Sequence, residues 1–482
     1  MPSTLSGESV FPCPEWVKGA VFYQIFPDRF AKSADYAPAG TFCKWGAAPT
    51  VQGMCGGNLC GIIGKLDYIK DLGANALYLC PIFKSASNHR YHTVDYMQID
   101  PVLGTEADFD ELVREVHARK MHIILDGVFN HCSRGFFPFV SVMEQGADSP
   151  YRDWFHIDSF PVNAYSGEPN YRCWWNLPAL PKFNTDNSEV RGYIMNVAEH
   201  WIRRGADGWR LDVPNEIDDD SFWREFRTRV KTVNPDAYIV GEIWEDPSRW
   251  LQGDQFDGVM NYPARRLILN FFFPAGMKRF ARSTGEPESA ARSNALTADA
   301  FCRGLQESFA HKYFGVPFNL LGSHDTPRLA TIGAGRPEDE FLALALFLFM
   351  PGAHSIYYGD EIGLGGGRDP DNRRCFPWES FSAGAEPQPF SLLKKFIRIL
   401  LKEPAWVSGD FSIRSEGQGI LACRRKGMDM LELRIAYPGP VPLPGISART
   451  DVLFALKKEP IEGVAGYFVA KGGVTLTKKR AT

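Results

Sequence analysis

The segment GWRLDV, residues 208–213, places two opposite charges in an otherwise apolar run. Apolar side chains at alternate positions indicate a short strand, on which successive side chains point to opposite faces. Arg210 and Asp212 therefore share one face. Because a buried charge costs free energy unless it is paired or put to use, this pattern indicates a carboxylate held beside a fixed cation for a chemical purpose.

Other apolar runs end in the same way, with an acidic residue. These strand-end acids are Asp126, Asp212, Glu242, Asp325 and the adjacent Asp360 and Glu361. If the runs are parallel strands of a barrel, their carboxyl ends converge on one rim, and the acids are expected in a single pocket. A helix cap or a surface ion pair would explain any one of these acids alone, but five strand ends that agree favour a shared site.

Paired carboxylates suit two kinds of chemistry. Glycoside cleavage needs two carboxyl groups that flank the bond, one as nucleophile and one as proton donor. The same oxygen atoms could instead hold Mg²⁺ or Ca²⁺. The fixed charge of Arg210 argues against a metal, because it would repel a cation. His131 and His324 stand close to these acids in the sequence, and a neutral histidine can donate a hydrogen bond to a sugar hydroxyl.

The elements that must position these residues alternate between apolar strands and helical patterns. Helical segments such as 105–120 and 188–204 separate the strands, and Thr105 with Asp108 predicts a capped helix start. This order favours the α/β class and a (β/α)₈ TIM barrel, with an open doubly wound sheet as the alternative. No GxGxxG motif follows the first strand, which counts against the open sheet. The predicted strands are 21–26, 76–80, 122–129, 208–213, 237–243, 258–262, 319–325 and 354–361.

Two stretches depart from the alternation and predict further domains. Residues 130–184 are too long and too irregular for a βα loop, which indicates an inserted domain B after strand 3. Residues 403–482 contain hairpin patterns, which predict a small C-terminal β-sandwich domain. The catalytic barrel then comprises residues 1–129 and 185–402. Within it, the Ala-, Ser- and Arg-rich segment 274–300 is expected to be an insertion.

Composition excludes several classes of partner. The 482 residues carry 53 basic and 57 acidic side chains, a net charge of −4, which predicts no nucleic-acid or acidic-membrane partner. The start of the chain lacks a signal-peptide pattern and no apolar stretch is long enough to cross a bilayer, so we expect a cytoplasmic protein. The ten cysteines include no CxxC motif, which indicates free thiols and no zinc site.

Four segments are similar, in order and spacing, to the signature regions of the α-amylase family of glycoside hydrolases (family 13): DGVFNH (126–131), GWRLDV (208–213), GEIW (241–244) and SHD (323–325). The resemblance covers residues 16–400. Further segments most resemble the neopullulanase, cyclomaltodextrinase and maltogenic-amylase group: SNHRYHTVDYMQIDP (87–101), LPKFN (180–184) and YYGDEIGLGGGRDPDNRR (357–374).

The resemblance implies a role for each acid. Asp212 corresponds to the nucleophile, Glu242 to the general acid/base, and Asp325 to a third acid that grips the hydroxyls of the reacting sugar. Arg210 corresponds to the residue that keeps Asp212 ionised and oriented.

The resemblance also implies residues that bind or brace the substrate. Trp244, Asn215 and Glu216 would lie on the leaving-group side, and Asp369 and Arg373 on the opposite side. His131 and His324 would bind hydroxyls, Tyr91 would stack beneath the sugar, and Asp126 and Asn130 would brace the site. The full implied binding set is Tyr91, His131, Arg210, His324, Trp244, Asn215, Glu216, Asp369 and Arg373.

The sequence departs from the group in several places. The first strand begins near residue 21, so the N-terminal domain of the group is expected to be missing. His92 stands where the group has Asp, and Phe183 stands where it has Leu. The acidic calcium loop near the first strand is not evident, so we expect no cofactor and no essential metal; the sequence leaves a structural Ca²⁺ open but does not indicate one. We expect a monomer or a homodimer.

These observations predict a retaining α-glucan hydrolase, endo- or exo-acting, that works through a covalent glycosyl-enzyme. Its expected substrates are maltooligosaccharides, pullulan or cyclodextrins, cleaved at α-1,4 and also at α-1,6 bonds, with transglycosylation when a sugar replaces water. An α-glucosidase or a glucan transglycosylase of the same family is the alternative. A non-catalytic carbohydrate-binding protein is the alternative of another class, and the retention of all three acids argues against it.

Overall fold

The structure is a computed structural model that describes residues 12–34, 36–281, 296–309, 315–381, 386–438, 441–443, 450–460 and 467–479. Residues 1–11, where a signal peptide would stand, lie outside these ranges, and so does the stretch 282–295 of the expected insertion. Within the described ranges, no helix has the length and apolar character needed to cross a membrane.

Eight parallel strands form the centre of the fold, each from one of the predicted apolar runs. They are β1 (Val21–Ile25), β2 (Ala76–Leu79), β3 (His122–Gly127), β4 (Gly208–Leu211), β5 (Tyr238–Gly241), β6 (Gly258–Val259), β7 (Phe318–Leu320) and β8 (Ala353–Tyr357). The sheet order is β6–β5–β4–β3–β2–β1–β8–β7, and a parallel bridge between Met260 and Phe318 joins its two ends. The strands thus form a nearly closed barrel, which confirms the predicted fold class.

The barrel strands divide their side chains between two cores. On β4, Trp209 and Leu211 pack in the large core between the strands and the helices. Side chains such as Phe22 and Tyr78 form a smaller core inside the barrel. Arg210 lies between Trp209 and Leu211 and therefore points into the barrel, where it is fully buried. The alternation that the sequence predicted thus places this charge inside the barrel.

Helices surround the barrel and connect its strands. Helix Glu106–Ala118 begins with the predicted capping box, in which the Thr105 hydroxyl accepts from the Asp108 N–H and the Asp108 carboxylate accepts from the Thr105 N–H. The α-helices are α1 (Pro27–Phe30), α2 (Leu59–Ile63), α3 (Leu66–Leu72), α4 (Glu106–Ala118), α5 (Phe137–Gln145), α6 (Ser188–Arg203), α7 (Asp220–Val233), α8 (Tyr262–Phe272), α9 (Pro274–Ala281), α10 (Ala298–Phe309), α11 (Leu329–Gly333), α12 (Pro337–Phe349), α13 (Gln388–Leu400) and α14 (Pro404–Ser408).

Short 3-10 helices occupy several of the loops. They are Glu15–Gly19, Gly146–Asp148, Arg152–Trp154, Trp174–Asn176, Pro214–Glu216, Asp360–Ile362, Asp371–Arg373 and Trp378–Phe381.

Two excursions rise from the strand ends at the rim of the barrel. After β2, the strands Phe83–Ser85 and Thr93–Ile99 form an antiparallel hairpin whose loop carries Tyr91. After β3, residues 130–184 contain α5 and four isolated antiparallel bridges: His131–Lys182, Phe155–Phe183, Ile157–Tyr171 and Cys173–Pro181. The first bridge brings the end of this excursion back to the rim beside His131.

The C-terminal part of the chain is an antiparallel sheet, in agreement with the predicted β-sandwich domain. Its strands are β9 (Asp410–Glu416), β10 (Gly419–Lys426), β11 (Asp429–Ile435), β12 (Val441–Leu443), β13 (Thr450–Pro460) and β14 (Tyr467–Lys479). The exact division of the chain into three domains stays a prediction.

Gly208 allows β4 to pair closely with β5, and this predicts a stability effect. A Cβ atom at this position would collide with the carbonyl oxygen of Tyr238 on β5. We expect Gly208→Ala to lower the free energy of unfolding by about 1–3 kcal/mol, because the neighbouring backbone cannot yield without disturbing the sheet. Urea-induced unfolding measures this change.

Gly192→Ala is the matched control. Gly192 lies within α6, and a Cβ atom there would meet no atom within 4 Å. This variant should be as stable as the original chain or up to about 1 kcal/mol more stable, since alanine favours the helix. Equal stability of Gly208→Ala and the original chain would contradict the predicted collision.

Candidate active site

Arg210 lies at the centre of a buried group of carboxylates. Its Nη1 donates hydrogen bonds to Asp126 at 2.8 Å and to Asp212 at 3.0 Å. Its Nη2 lies 2.9 Å from Oε2 of Glu242, as an ion pair. The guanidinium side chain has no exposed surface. One cation therefore serves three acids that come from the neighbouring strands β3, β4 and β5.

Strand pairing explains why these acids meet. Asp126 lies opposite Arg210 in the register of β3 and β4, and Glu242 directly follows β5. Val213 then turns the chain with φ 36° and ψ 51°, a left-handed conformation that β-branched residues rarely adopt. In this conformation the Val213 N–H donates to Oε2 of Glu242 at 3.1 Å. The strained turn thus links the end of β4 to the acid on β5.

Trp244 positions the other oxygen of Glu242. Its indole N–H donates to Oε1 of Glu242 at 3.1 Å. The Trp244 ring lies almost parallel to that of Tyr262, with centroids 3.6 Å apart. The Glu242 carboxylate is therefore held on both oxygens by groups that are themselves fixed by packing.

Asp325 approaches the group from the β7 side of the barrel. Its carboxylate lies 3.1 Å from Nε2 of His324 and 3.5 Å from Nη2 of Arg373. Nη1 of Arg373 lies 3.0 Å from Asp369. With 30% of its side chain exposed, Asp325 is more accessible than Asp212 or Glu242. This acid is thus the one that a molecule entering from solvent can reach most easily.

Tyr91 and His324 connect the two sides of the group. The Tyr91 hydroxyl donates to Oδ2 of Asp126 at 2.8 Å and lies 2.6 Å from Nε2 of His324. The two rings are nearly parallel, with centroids 5.2 Å apart. The Gln24 amide lies 2.9 Å from Nδ1 of His324. If it donates there, the imidazole proton is on Nε2, which faces Asp325.

His131 closes the site on the side of the excursion. Its Nδ1 lies 3.2 Å from the Asn130 amide, and its ring lies parallel to the Trp174 indole, with centroids 5.1 Å apart. Its Nε2 is buried and has no hydrogen-bond partner among the residues described. Because this nitrogen has no accessible surface, a ligand hydroxyl would reach it only if a neighbouring ring moves.

Burial dominates the protonation of these groups. It raises the pKa of the Asp212 carboxyl well above its usual value, while Arg210 acts in the opposite direction. Burial also raises the pKa of Asp126, Glu242 and Asp325. The resemblance implied that Arg210 keeps Asp212 ionised, but desolvation outweighs the effect of Arg210 on the pKa of Asp212. Four carboxyl groups, three of them buried, beside the two cations Arg210 and Arg373 therefore favour keeping a proton in the site.

The histidines respond to burial in the opposite way. Burial lowers the pKa of His131 to about 3 and holds the pKa of His324 well below its usual value. Both rings are therefore neutral near pH 7, as the sequence argument required.

Some residues lie at the rim rather than in the group. Glu216 is paired with Lys182, whose Nζ lies 2.8 Å from its carboxylate, and Asn215 is exposed on the same 3-10 turn. The side-chain ring of His92 lies edge-on to His89, with centroids 4.9 Å apart. Phe183 is buried and nearly parallel to Phe155.

Two of the strand-end acids do not join the group. Glu361 accepts hydrogen bonds from Tyr23 at 2.7 Å and Tyr68 at 2.8 Å. Asp360 pairs with Arg328 at 3.2 Å. The expectation that all strand-end acids share one pocket is therefore wrong for this pair, because the 3-10 helix after β8 directs them to partners of their own. Across the described ranges, no group of three or more His, Cys, Asp or Glu side chains could hold a metal ion.

Known proteins with similar sequences indicate the family to which this chain belongs. Residues 24–398 match the family described as alpha amylase, catalytic domain. The chain is 43% identical over 409 residues to a cyclomaltodextrinase of Geobacillus thermopakistaniensis, a match that covers 83% of this chain and 66% of that protein. The chain belongs to the alpha-amylase family.

Solved structures of other family members extend over almost the whole chain. A cyclic α-maltosyl-(1→6)-maltose hydrolase of Arthrobacter globiformis is 38% identical, with a TM-score of 0.84 over 97% of this chain and 100% of that one. A debranching enzyme of Nostoc punctiforme is 41% identical, with a TM-score of 0.84 over 98% and 100%. The chain spans about two thirds of the length of the curated relatives it matches first, between 60% and 69%.

Several residues of the site were not identified from the sequence. Tyr78 donates to Oδ2 of Asp126 at 2.6 Å, and Gln24 contacts His324. Gln24 is a polar residue inside an apolar strand, the same signal that identified Arg210, and could have been found in that way. Trp174 and Tyr262 had no such signal, because their contacts depend on how separate segments pack.

The shared use of Arg210 predicts a pH-dependent loss of stability. Arg210→Met leaves Asp126, Asp212 and Glu242 without their cation and raises their pKa in the folded chain. Such groups stabilise the fold below their unfolded pKa and lose that contribution as pH rises. We expect the variant to lose about 3–5 kcal/mol of unfolding free energy, and more at about pH 8 than at about pH 5.

Chemical denaturation at both pH values measures this loss. Arg203→Met is the control, because Arg203 is 60% exposed and its buried partner Glu199 keeps Arg229 as a second cation. It should change stability by about 1 kcal/mol or less at either pH. A deficit of Arg210→Met that is smaller at the higher pH would contradict the proposed charge balance.

Proposed function

We propose that the protein is a retaining α-glucan hydrolase that forms a covalent glycosyl-enzyme. The observation that carries this proposal is the placement of Asp212 and Glu242 on the two terminal nitrogens of one guanidinium, that of Arg210. Retaining glycosidases hold their carboxyl groups about 5–5.5 Å apart, whereas inverting ones leave space for a water molecule between them. Two acids that share one small cation fit the retaining case.

The resemblance to the signature regions of the family implies the roles of the two acids, and we propose the same roles on the basis of their contacts. Asp212 accepts an aligned hydrogen bond from Arg210, which orients its free oxygen and favours its ionised form when it attacks. Glu242 meets the same guanidinium without an aligned hydrogen bond. Burial and the charge of Asp325 raise the pKa of Glu242, and burial raises the pKa of Asp212 as well, so the assignment rests on the hydrogen bonds rather than on these shifts.

The proposed reaction has two displacements. The Asp212 carboxylate attacks the anomeric carbon, the glycosidic bond breaks, and the departing oxygen takes the proton of Glu242. Ionised Glu242 then accepts a proton from water, whose oxygen attacks the same carbon and releases Asp212. When the hydroxyl of a second sugar takes the place of water, the product is a transglycosylated glucan.

The other residues of the site would bind the reacting sugar. Neutral His131 and His324 can donate hydrogen bonds to its hydroxyls, and Asp325 can accept hydrogen bonds from them. Asp325 would also favour the oxocarbenium-like transition state through its negative charge. The ring of Tyr91 offers an apolar surface for one face of the sugar. Asp126 and Asn130 would brace this set.

Sugars on either side would meet residues at the rim. We assign Trp244, Asn215 and Glu216 to the leaving-group side and Arg373 with Asp369 to the opposite side. Trp244 directly contacts Glu242, the proposed proton donor to the leaving group.

The relatives support the substrate class. One is named for cyclodextrins, one for a cyclic saccharide with a (1→6) bond, and one for debranching. We therefore propose maltooligosaccharides, pullulan or cyclodextrins as substrates, cleaved at α-1,4 and α-1,6 bonds. The scheme uses side chains alone and needs no cofactor. A cytoplasmic location and a monomeric or homodimeric state remain predictions from the sequence.

Substitution of the two acids tests the proposal. On maltotriose, Asp212→Asn should lower kcat/KM by roughly 10⁴-fold or more, because the nucleophile is lost. Glu242→Gln should lower it by about 10²–10⁴-fold. With a nitrophenyl maltoside the loss in Glu242→Gln should be smaller, because nitrophenolate departs without a full proton transfer.

Asp67→Asn is the control for both variants, since its side chain is 87% exposed and pairs with Arg119 at the surface. It should keep the original rate. Near-original turnover in either acid variant would overturn the assignment. Chromatography of the products from maltotriose, pullulan and β-cyclodextrin separates the alternatives, because a transglycosylase yields saccharides longer than the substrate.

A further inference from the structure

Trp175 is an unusually exposed tryptophan with a strained backbone. Its residue surface is 77% exposed, although tryptophan is ordinarily well buried. Its backbone has φ 53° and ψ 28°, and Asn176 follows with φ 57°. Two consecutive non-glycine residues in the left-handed region cost free energy, and such strain is concentrated at functional positions. The backbone strain therefore lowers the stability of the fold while it exposes a large apolar ring to solvent.

Trp175 is the outer end of a stack of three rings. It lies parallel to Trp174, with centroids 4.6 Å apart and planes 10° from parallel. Trp174 in turn lies parallel to His131, with centroids 5.1 Å apart and planes 13° from parallel. One face of the Trp175 indole is covered by Trp174. The stack therefore leads from a residue of the candidate active site to an open aromatic face.

The stack also holds unpaired hydrogen-bonding groups. The indole nitrogen of Trp174 is buried and has no hydrogen-bond partner in the described part of the chain, and the same is true of Nε2 of His131. Buried polar groups are ordinarily paired. Neither nitrogen has accessible surface, so a bound molecule would pair with them only after the stacked rings shift.

A pyranose ring has the chemistry that this stack would recognise. Its C–H faces pack against aromatic rings, and its hydroxyls at the edge exchange hydrogen bonds with N–H groups. The stack is continuous with His131 of the candidate active site. This favours, as its ligand, a sugar chain that already lies in the acid group rather than a separate protein partner.

We propose that Trp175 and Trp174 form a distal sugar-binding platform for α-glucans that are long enough to extend from the acid group past His131. This inference rests on the proposed function, because it concerns the same substrate. Short substrates such as maltotriose would end before the platform, and longer ones such as maltoheptaose would reach it.

Steady-state kinetics with both substrates test the platform. Relative to the original chain, Trp175→Ala should raise the ratio of KM for maltoheptaose to KM for maltotriose by roughly fivefold, the effect of losing one stacking contact. Trp175→Phe keeps an aromatic face and should raise the ratio by less than about twofold. Because Trp175 is highly exposed, its substitution should leave the fold intact, and equal thermal midpoints of the variant and the original chain check this.

Phe137→Ala is the matched control. Phe137 is 67% exposed in the same excursion, but its ring packs edge-on against Tyr151 and has no part in the stack. The ratio of KM for maltoheptaose to KM for maltotriose in Phe137→Ala should equal that of the original chain. An unchanged ratio in Trp175→Ala, or an equal rise in Phe137→Ala, would overturn the platform.

Calorimetric binding of maltoheptaose separates the platform from the proposed function. If the original chain cleaves neither substrate, the proposed hydrolysis fails and the platform is judged on binding alone. Roughly fivefold weaker binding by Trp175→Ala would then support the platform. Equal affinity of Trp175→Ala and the original chain would overturn it, and so would the absence of binding by both.

Discussion

The rest of the site depends on the contact between one buried guanidinium and three carboxylates. Arg210 has no exposed surface and meets Asp126, Asp212 and Glu242. A buried charge that loses its partners is strongly destabilising, so the strands that carry these residues must hold their register. Gly208 lets β4 approach β5 closely, and the left-handed turn at Val213 directs an N–H to Glu242.

The same arrangement explains how a site with several acids can hold a proton. Burial raises the pKa of each carboxyl group, and the two guanidinium groups of Arg210 and Arg373 offset only part of this effect. The histidines are driven the other way and stay neutral. A carboxyl that attacks and a carboxyl that donates a proton can therefore coexist within a single network, beside rings that carry no charge.

Much of the barrel and of its acid group could be predicted from the sequence, because successive side chains of a strand point to opposite faces. The alternation in GWRLDV placed Arg210 and Asp212 on the inner face, and the order of apolar runs gave the eight strands. The same reasoning failed for Asp360 and Glu361, because a 3-10 helix after β8 turns them towards Arg328, Tyr23 and Tyr68. Strand alternation does not decide the direction of acids beyond a strand end: Asp325 lies farther past β7 than Asp360 lies past β8, yet only Asp325 joins the group.

Contacts in the long excursion could not be derived from the sequence at all. Residues 130–184 have no helical or strand period, and the stack of His131, Trp174 and Trp175 depends on bridges between distant segments. Nothing local indicates that these rings meet.

The configuration of the first product tests most directly whether Asp212 and Glu242, held by one guanidinium, act as nucleophile and proton donor. Proton NMR in the first minutes of maltotriose hydrolysis, before mutarotation, records which anomer is released. Two displacements at one carbon predict the α-anomer. Initial release of the β-anomer would mean a single displacement by water and would contradict the covalent mechanism.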